Sequence, residues 1–310
     1  MSADVRILVT GAGGQLGGRT ARLLAASGKK VYGTVRRAAD PVGEAAGIHW
    51  LTCDLTKPVE VRAAVAASNP SLVLHTVGLG GTADMRDLVE ANVTALAHLI
   101  DALEGAPLRH LLVIGSSAEY AESSDRASIN EDHALGPTSP YGVTKLQQFE
   151  LFQKASRSGL PIAYARPFNL IGPGVACTTA VGDISKRLAE SMQKGDDGVL
   201  EVGDLHKWRD YLDVRDAAAA CVILLESAAP GDVYNICSGV PVLLSDVVDR
   251  LLALAGGRVS LRSVERGPSH GYVVGDPSKL QGLGWSPKYG LDTSLRDGLE
   301  DMASRLRRAN

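Results

Sequence analysis

The sequence predicts an α/β fold: a doubly wound parallel sheet with helices on both faces, and a smaller C-terminal lobe interleaved with it. Short β-branched runs alternate with helix-length stretches through the first half of the chain, the pattern of βαβ units. A glycine-rich turn joins the first run to the first helix. The chain has 310 residues, 45% apolar and 22% charged. That is about two folding units of ordinary globular composition, which excludes disorder and fibrous repeats.

Val5-Arg-Ile-Leu-Val9 reads as the first strand, and Gln15 to Ser27 as a helix closed by Gly28 at the C′ position. Lys30 to Val35 follows as the second strand. Further strand-like runs are Ile48–Leu51, Leu72–His75, Leu111–Ile114 and Ile162–Ala165, most of them separated by helical stretches. After Pro167 the chain is punctuated by Gly and Pro around one helix, Gly182 to Lys194. The run Val199–Val202 then leads into a charged loop. A helix from Ala217, a strand Val233–Ile236 and an amphipathic stretch Ser245–Ala255 restore the alternation. The expected division is residues 1–168 plus roughly 210–238 for a dinucleotide-binding domain, and roughly 169–209 and 239–310 for a substrate lobe.

Charge and cysteine usage exclude several classes. Against 35 acidic residues stand 32 basic ones, a net −3, so no basic field awaits nucleic acid or anionic lipid. Cys53, Cys177, Cys221 and Cys237 are far apart and form no CxxC or Cys/His spacing. Neither a metal site nor a disulfide framework is expected, and reduced thiols in a cytoplasmic protein are. The start of the chain lacks a signal-peptide pattern, and the apolar run Ala217–Leu225 is too short to span a membrane.

Thr10-Gly-Ala-Gly-Gly-Gln-Leu-Gly17 stands between the first strand and first helix as GxxGxxG. Glycines at 11, 14 and 17 let the backbone turn sharply and approach a pyrophosphate, whose charge meets amides at a helix N-terminus. This is the turn of a Rossmann-type sheet, with a merely tight turn as the alternative. The expected cofactor contacts are Gly11, Gly14, Gln15, Leu16 and Gly17 here, then Asp54 and Leu55 after the third strand. The second strand ends in Arg36-Arg37 with no acidic residue at its tip. Arginine there accommodates a 2′-phosphate, so NADP(H) is favoured, with NAD(H) as the alternative, unless both arginines are simply solvated. Asp54 suits an adenine edge or the cap of the next turn.

Ser139-Pro-Tyr141 reads as a helix start, and Lys145 lies one turn beyond Tyr141 on the same face. A nearby ammonium and a helix N-terminus both favour the phenolate, so the pair is expected to be an acid/base unit with a lowered tyrosine pKa. In isolation YxxxK is often just a solvated helix face. Ser116-Ser117 after the strand at 111–114 changes that, because ligands bind at strand C-termini in open parallel sheets. A serine there holds a substrate oxygen beside the tyrosine while hydride moves.

TGAGGQLG, NVTAL at Asn92, GSSAEY at 115–120, YGVTK at 141–145, RPFNLIGPG at 166–174, RDYLDVRD at 209–216, VGDPSKL at 274–280 and LGW at 283–285 together resemble the extended short-chain dehydrogenase/reductases, the nucleotide-sugar epimerase/dehydratase family. GSSAEY, RPFNLIGPG and VGDPSKL look most like the GDP-4-keto-6-deoxymannose reductases of that family. The resemblance implies a Ser117–Tyr141–Lys145 triad. Tyr141 would exchange the proton at the sugar oxygen, Lys145 would hold the nicotinamide ribose, and Ser117 would orient the reacting group. It also implies Ser117, Glu119, Asn169, Arg209 and Arg266 on the substrate side, and a homodimer through the helices Met85–Ala102 and that following Tyr141. From the residues alone, Arg209 suits a diphosphate or a salt bridge to Asp210 or Asp213, and Asn169 suits a turn before Gly172-Pro173.

Dehydratases of the dTDP-glucose type carry Asp-Glu directly after the catalytic hydroxyl residue, whereas this chain has Ala118-Glu119. The usual His-Leu-Ala-Ala loop is replaced by His75-Thr-Val-Gly78 and Leu-Gly-Gly, a more pliant segment near the sugar. His75 reads as a packed strand residue. The leading expectation is an NADP(H)-dependent 4-ketoreductase of a nucleotide-linked deoxyhexose. An NAD-retaining 4-epimerase is second, a dehydratase less favoured, and a non-catalytic dinucleotide sensor comes from another class.

Overall fold

A computed structural model describes residues 5–37, 47–81, 83–195, 199–256, 259–263 and 271–309. The first lobe runs β1 (Arg6–Thr10), α1 (Gln15–Ala26), β2 (Lys30–Val35), β3 (Ile48–Thr52), α2 (Pro58–Ser68), β4 (Leu72–His75), α3 (Met85–Val89), α4 (Ala95–Ala102), β5 (His110–Ile114), α5 (Pro140–Arg157) and β6 (Ile162–Pro167). Then come β7 (Asn169–Ile171), α6 (Ala180–Lys194), β8 (Val199–Val202), β9 (Trp208–Asp213), α7 (Val214–Ser227), β10 (Val233–Ile236), β11 (Pro241–Leu243), α8 (Leu244–Leu254), β12 (Ser260–Ser263), β13 (Tyr272–Val273), α9 (Ser278–Gln281) and α10 (Leu291–Ala309).

Seven parallel strands form the main sheet in the order β10-β6-β5-β4-β1-β2-β3. The period-2 alternation of each strand feeds two cores at once. Ile7 and Val9 of β1 join Leu72 and Leu74 of β4 on the face carrying α1 and α7. Leu8, Val73, Leu111 and Val113 face α2, α4 and α5 on the other. Continuous apolar strands are what burial on both faces requires.

Local chemistry sets the helix ends. Ser139 Oγ accepts from the Gly142 amide at 3.0 Å with Pro140 in the first turn, and Thr179 Oγ1 caps α6 through Gly182 N at 3.1 Å. At the close of α1, Lys29 N donates to Leu24 O at 3.1 Å while Gly28 takes φ +78°. The helix expected from Met85 to Ala102 is interrupted: residues Glu90–Thr94 form a π turn between α3 and α4.

The second lobe differs from expectation at Trp208–Asp213. The charged loop anticipated there is β9, which pairs with β7, β11 and β13. Its polar residues misled the pattern, because Asp210 is buried and takes backbone amides from Ser238 and Gly239, each at 2.8 Å. Ile184 and Leu188 of α6, Val247 and Leu251 of α8, and Leu295, Leu299 and Met302 of α10 pack over this sheet as a third core. Among the described residues no helix is long and apolar enough to cross a membrane.

Candidate active site

The turn after β1 closes as Gly14 N donates to Gly11 O at 2.9 Å, with Gly11 at φ +75°. Gly17 meets the same carbonyl closely: a Cβ there would stand 2.6 Å from Gly11 O and 2.3 Å from Thr76 Oγ1. Only glycine lets α1 seat this deep against β1 and β4. No side chain caps α1, so its first-turn amides are left to a ligand anion. Beside them opens a cleft of about 230 Å³ bordered by Gly11, Gly14, Arg36, Asp54, Leu55 and Thr76. Shape and donors fit the pyrophosphate and adenosine of a dinucleotide.

The expected contacts are distributed unevenly around this cleft. Arg36 borders it and Arg37 is exposed outside its rim. Asp54 makes both of its anticipated uses available. Its Oδ1 accepts from the amide and hydroxyl of Thr56 at 3.0 and 2.8 Å, and the residue still lines the cleft. Burial pushes the Asp54 carboxyl up, but those bonds and Arg36 leave it below the usual carboxylate range. The Leu16 side chain is packed in the core and does not border the cleft. Gln15 Nε2 donates to Pro173 O at 3.3 Å alongside Arg19 Nη2 at 2.8 Å, so its side chain ties the 172–175 loop to α1.

Tyr141 and Lys145 lie on the first turns of α5, at the C-terminal ends of β4 and β5. The glycine segment after β4 covers them: a Cβ on Gly80 would lie 3.7 Å from the Tyr141 ring, and one on Gly78 would lie 3.2 Å from Lys145 Nζ. Asn92, in the π turn, pins this segment, accepting from Leu79 N at 2.8 Å and donating to Leu79 O and Thr144 Oγ1. The Lys145 ammonium is buried and donates to Ile114 O at 3.0 Å and Gln148 Oε1 at 2.8 Å. Burial brings its pKa down to about 8, against the upward pull of Glu119. His75, buried beside it and sharing a 2.8 Å hydrogen bond with Thr10 Oγ1, is brought down to about 3 by burial and then by Lys145, so the imidazole is neutral.

The expected lowering of the tyrosine pKa is overturned. Burial pushes the Tyr141 phenol above its ordinary value, the Ser116 hydroxyl draws it back, and Glu119 pushes it further up. Lys145 is engaged elsewhere, so the phenol is protonated across the neutral range.

Both serines sit at the mouth of β5, but they differ. Ser116 Oγ accepts from Ala118 N at 3.1 Å and is the hydroxyl that draws the Tyr141 pKa back. The Ser117 hydroxyl has no hydrogen-bond partner among the described residues. Glu119, expected beside the substrate, has no exposed surface. Its carboxylate is buried in an ion pair with Arg166 Nε at 2.8 Å, so no sugar reaches it in this structure.

On the substrate side, Asn169 is exposed at the start of β7 and donates to Asp210 O at 2.9 Å. Arg209 pairs with neither Asp210 nor Asp213. Its Nη2 meets Glu122 Oε1 at 3.2 Å, and its Nη1 donates to Trp208 O and Gly271 O. Asp213 is occupied by Arg215 and Ser294. Arg266 lies outside the described residues. Gln148, Arg166 and Glu122 were not singled out from sequence, and Ser116 was read only as one of a serine pair of which Ser117 was assigned the catalytic place.

Residues 7–237 match the NAD dependent epimerase/dehydratase family. The chain is 31% identical over 251 residues to GDP-6-deoxy-D-mannose reductase of Pseudomonas aeruginosa, covering 77% of this chain and 82% of that one. To UDP-glucose 4-epimerase of Bacillus subtilis it is 26% identical over 322 residues, 94% and 95% of the two chains. The structure of RMD from Pseudomonas aeruginosa complexed with NADPH superposes with a TM-score of 0.80 at 26% identity, over 97% of this chain and all of the other. With the glycine cradle, the Tyr141–Lys145 helix and the seven-stranded parallel sheet in place, this chain belongs to the NAD dependent epimerase/dehydratase family of extended short-chain dehydrogenase/reductases.

Proposed function

We propose that the protein is an NADP(H)-dependent reductase of the 4-keto group of a nucleotide-linked 6-deoxyhexose. The observation that carries this reading is the rim of the cofactor cleft. Arg36 borders it at the end of β2, and among the described residues no carboxylate stands at that tip to take a ribose 2′-hydroxyl. An arginine there suits a 2′-phosphate, and the phosphorylated cofactor is the one exchanged for net reduction. The P. aeruginosa reductase, at 31% identity, supports the same substrate class.

When bound in the cradle, the reduced nicotinamide supplies the hydride. Tyr141, protonated in this setting, donates its proton to the ketone oxygen as that oxygen gains charge. Ser117, with its hydroxyl uncommitted, donates a hydrogen bond to the same oxygen. Lys145 has a third N–H left for the nicotinamide ribose. Arg209 offers its guanidinium to the substrate diphosphate once Glu122 releases it. Met85 and Val143, exposed on α3 and α5, mark the helices of a homodimer in this reading, which light scattering in solution checks.

Purified protein should release no stoichiometric nucleotide on denaturation and should bind NADPH much more tightly than NADH by fluorescence titration. Tyr141→Phe should abolish ketone reduction while leaving NADPH binding intact. Stoichiometric NAD that survives purification would refute the reductase and favour the epimerase, whose B. subtilis relative spans nearly the whole chain.

A further inference from the structure

Two arms of the active site meet at the Glu119 carboxylate. Its Oε1 accepts from Ser116 N at 2.9 Å and from the Tyr164 hydroxyl at 2.8 Å, and Oε2 accepts from Arg166 Nε at 2.8 Å. The turn that Ser116 opens packs on the start of α5: a Cβ on Gly142, the residue after Tyr141, would collide with Ala118 O. The Tyr164 hydroxyl stands 3.5 Å from Gln148 Oε1, the acceptor of the Lys145 ammonium at 2.8 Å. Glu119 thus stands behind the turn that packs on the start of α5 and two residues behind the Lys145 ammonium, with no exposed surface of its own.

We infer that Glu119 is a positioning residue: it clamps the Ser116 turn against Tyr141 and places a negative charge behind the Tyr141–Lys145 pair that keeps the tyrosine a proton donor. This rests on the reading of Tyr141 as donor in ketone reduction. A fixed anion in a low-dielectric setting opposes phenolate formation and favours the ammonium. Both effects of Glu119 run that way. The groups facing this cluster are Arg166 and Tyr164 from β6, Tyr120 from the turn after β5, Tyr141 and Lys145 from α5, and His75 from β4, which acts on the lysine side and is neutral. Arg166, paired with Oε2 at 2.8 Å, offsets part of this charge, so removing the pair together reads the net field at the reacting groups.

Glu119→Gln alone leaves the buried Arg166 cation without its anion and can unfold the chain, so a paired variant, Glu119→Gln with Arg166→Met, removes both charges together. The test is the tyrosinate absorbance of apoprotein, with each protein's Tyr141→Phe counterpart subtracted. In the paired variant the Tyr141 midpoint should fall by about one pH unit, a tenfold gain in acidity. The alkaline limb of ketone reduction should move by the same amount, with KM for the nucleotide sugar held within about twofold. A Tyr141 midpoint unchanged from the parent overturns the inference, even if reduction proceeds. A shifted midpoint in a protein that reduces no nucleotide sugar would instead leave Glu119's role standing and refute the reductase.

Discussion

Holding the Lys145 ammonium in a dry pocket has a consequence for stability that Lys145→Met isolates. Burial brings the folded lysine down to about 8 from its ordinary 10.5. The group is a base whose folded pKa lies below its unfolded one. Between those two values the unfolded chain holds a proton that the folded chain has released, so stability rises as pH climbs through the window. Relative to a neutral side chain, the buried cation destabilises the fold by roughly 3 kcal/mol at pH 7 and by only about 1.5 kcal/mol near pH 9.5. Methionine removes the titration but leaves Ile114 O and Gln148 Oε1 without their donor, which costs about 1–3 kcal/mol for each group. The informative readout is therefore the pH dependence and not the absolute stability. Urea unfolding of both proteins at the two pH values should show the parent gaining about 2 kcal/mol more than the variant on going to high pH. His75, already neutral, does not confuse this range. Equal gains, or a larger gain for Lys145→Met, would show that Lys145 is not held as a desolvated cation.

Three further outcomes follow from the site. Arg36→Ala should weaken NADPH binding by about 10–100-fold, the worth of one charge-assisted hydrogen bond, and leave NADH within about twofold; equal losses for both would remove Arg36 from the 2′-phosphate. Glu122→Gln should free Arg209 and tighten binding of a nucleoside diphosphate by about 2–5-fold in calorimetry, as expected for a half-exposed ion pair; an unchanged Kd would mean that Glu122 does not compete for the guanidinium. Gly17→Ala places a methyl 2.6 Å from Gly11 O, so it should lower stability by about 1–3 kcal/mol and abolish cofactor fluorescence changes; normal binding would contradict the close seating of α1.

The main sheet was legible because each parallel strand is buried on both faces and reads as a continuous apolar run, as Leu111–Ile114 does. The Tyr141–Lys145 helix was legible for a local reason: Ser139 and Pro140 mark its start, and a spacing of four residues fixes the shared face. What sequence could not carry was long-range pairing. Glu119 finds Arg166 47 residues away, and Lys145 finds Ile114 O 31 residues back, so the field around Tyr141 depends on partners no local pattern names. That is why the tyrosine pKa was expected to fall and is instead raised. Neighbouring serines posed a subtler problem, since only the turn at 116–119 separates the hydroxyl that caps it, Ser116, from the one left free, Ser117. The strand β9 was missed because its buried aspartate is satisfied by amides from Ser238, Gly239 and Gly275, all supplied by other segments.

Hydride transfer from a phosphorylated cofactor to a sugar ketone is tested most directly with NADPH deuterated at the transferable position and a nucleotide-linked 4-keto-6-deoxyhexose, the product being read by NMR and mass spectrometry. The reductase predicts one deuterium at C4 of the sugar for each NADPH consumed, and loss of that transfer in Tyr141→Phe. Turnover of a 4-hydroxy nucleotide sugar without NADPH consumption, and without deuterium in the product, would contradict it and assign the site to internal hydride recycling.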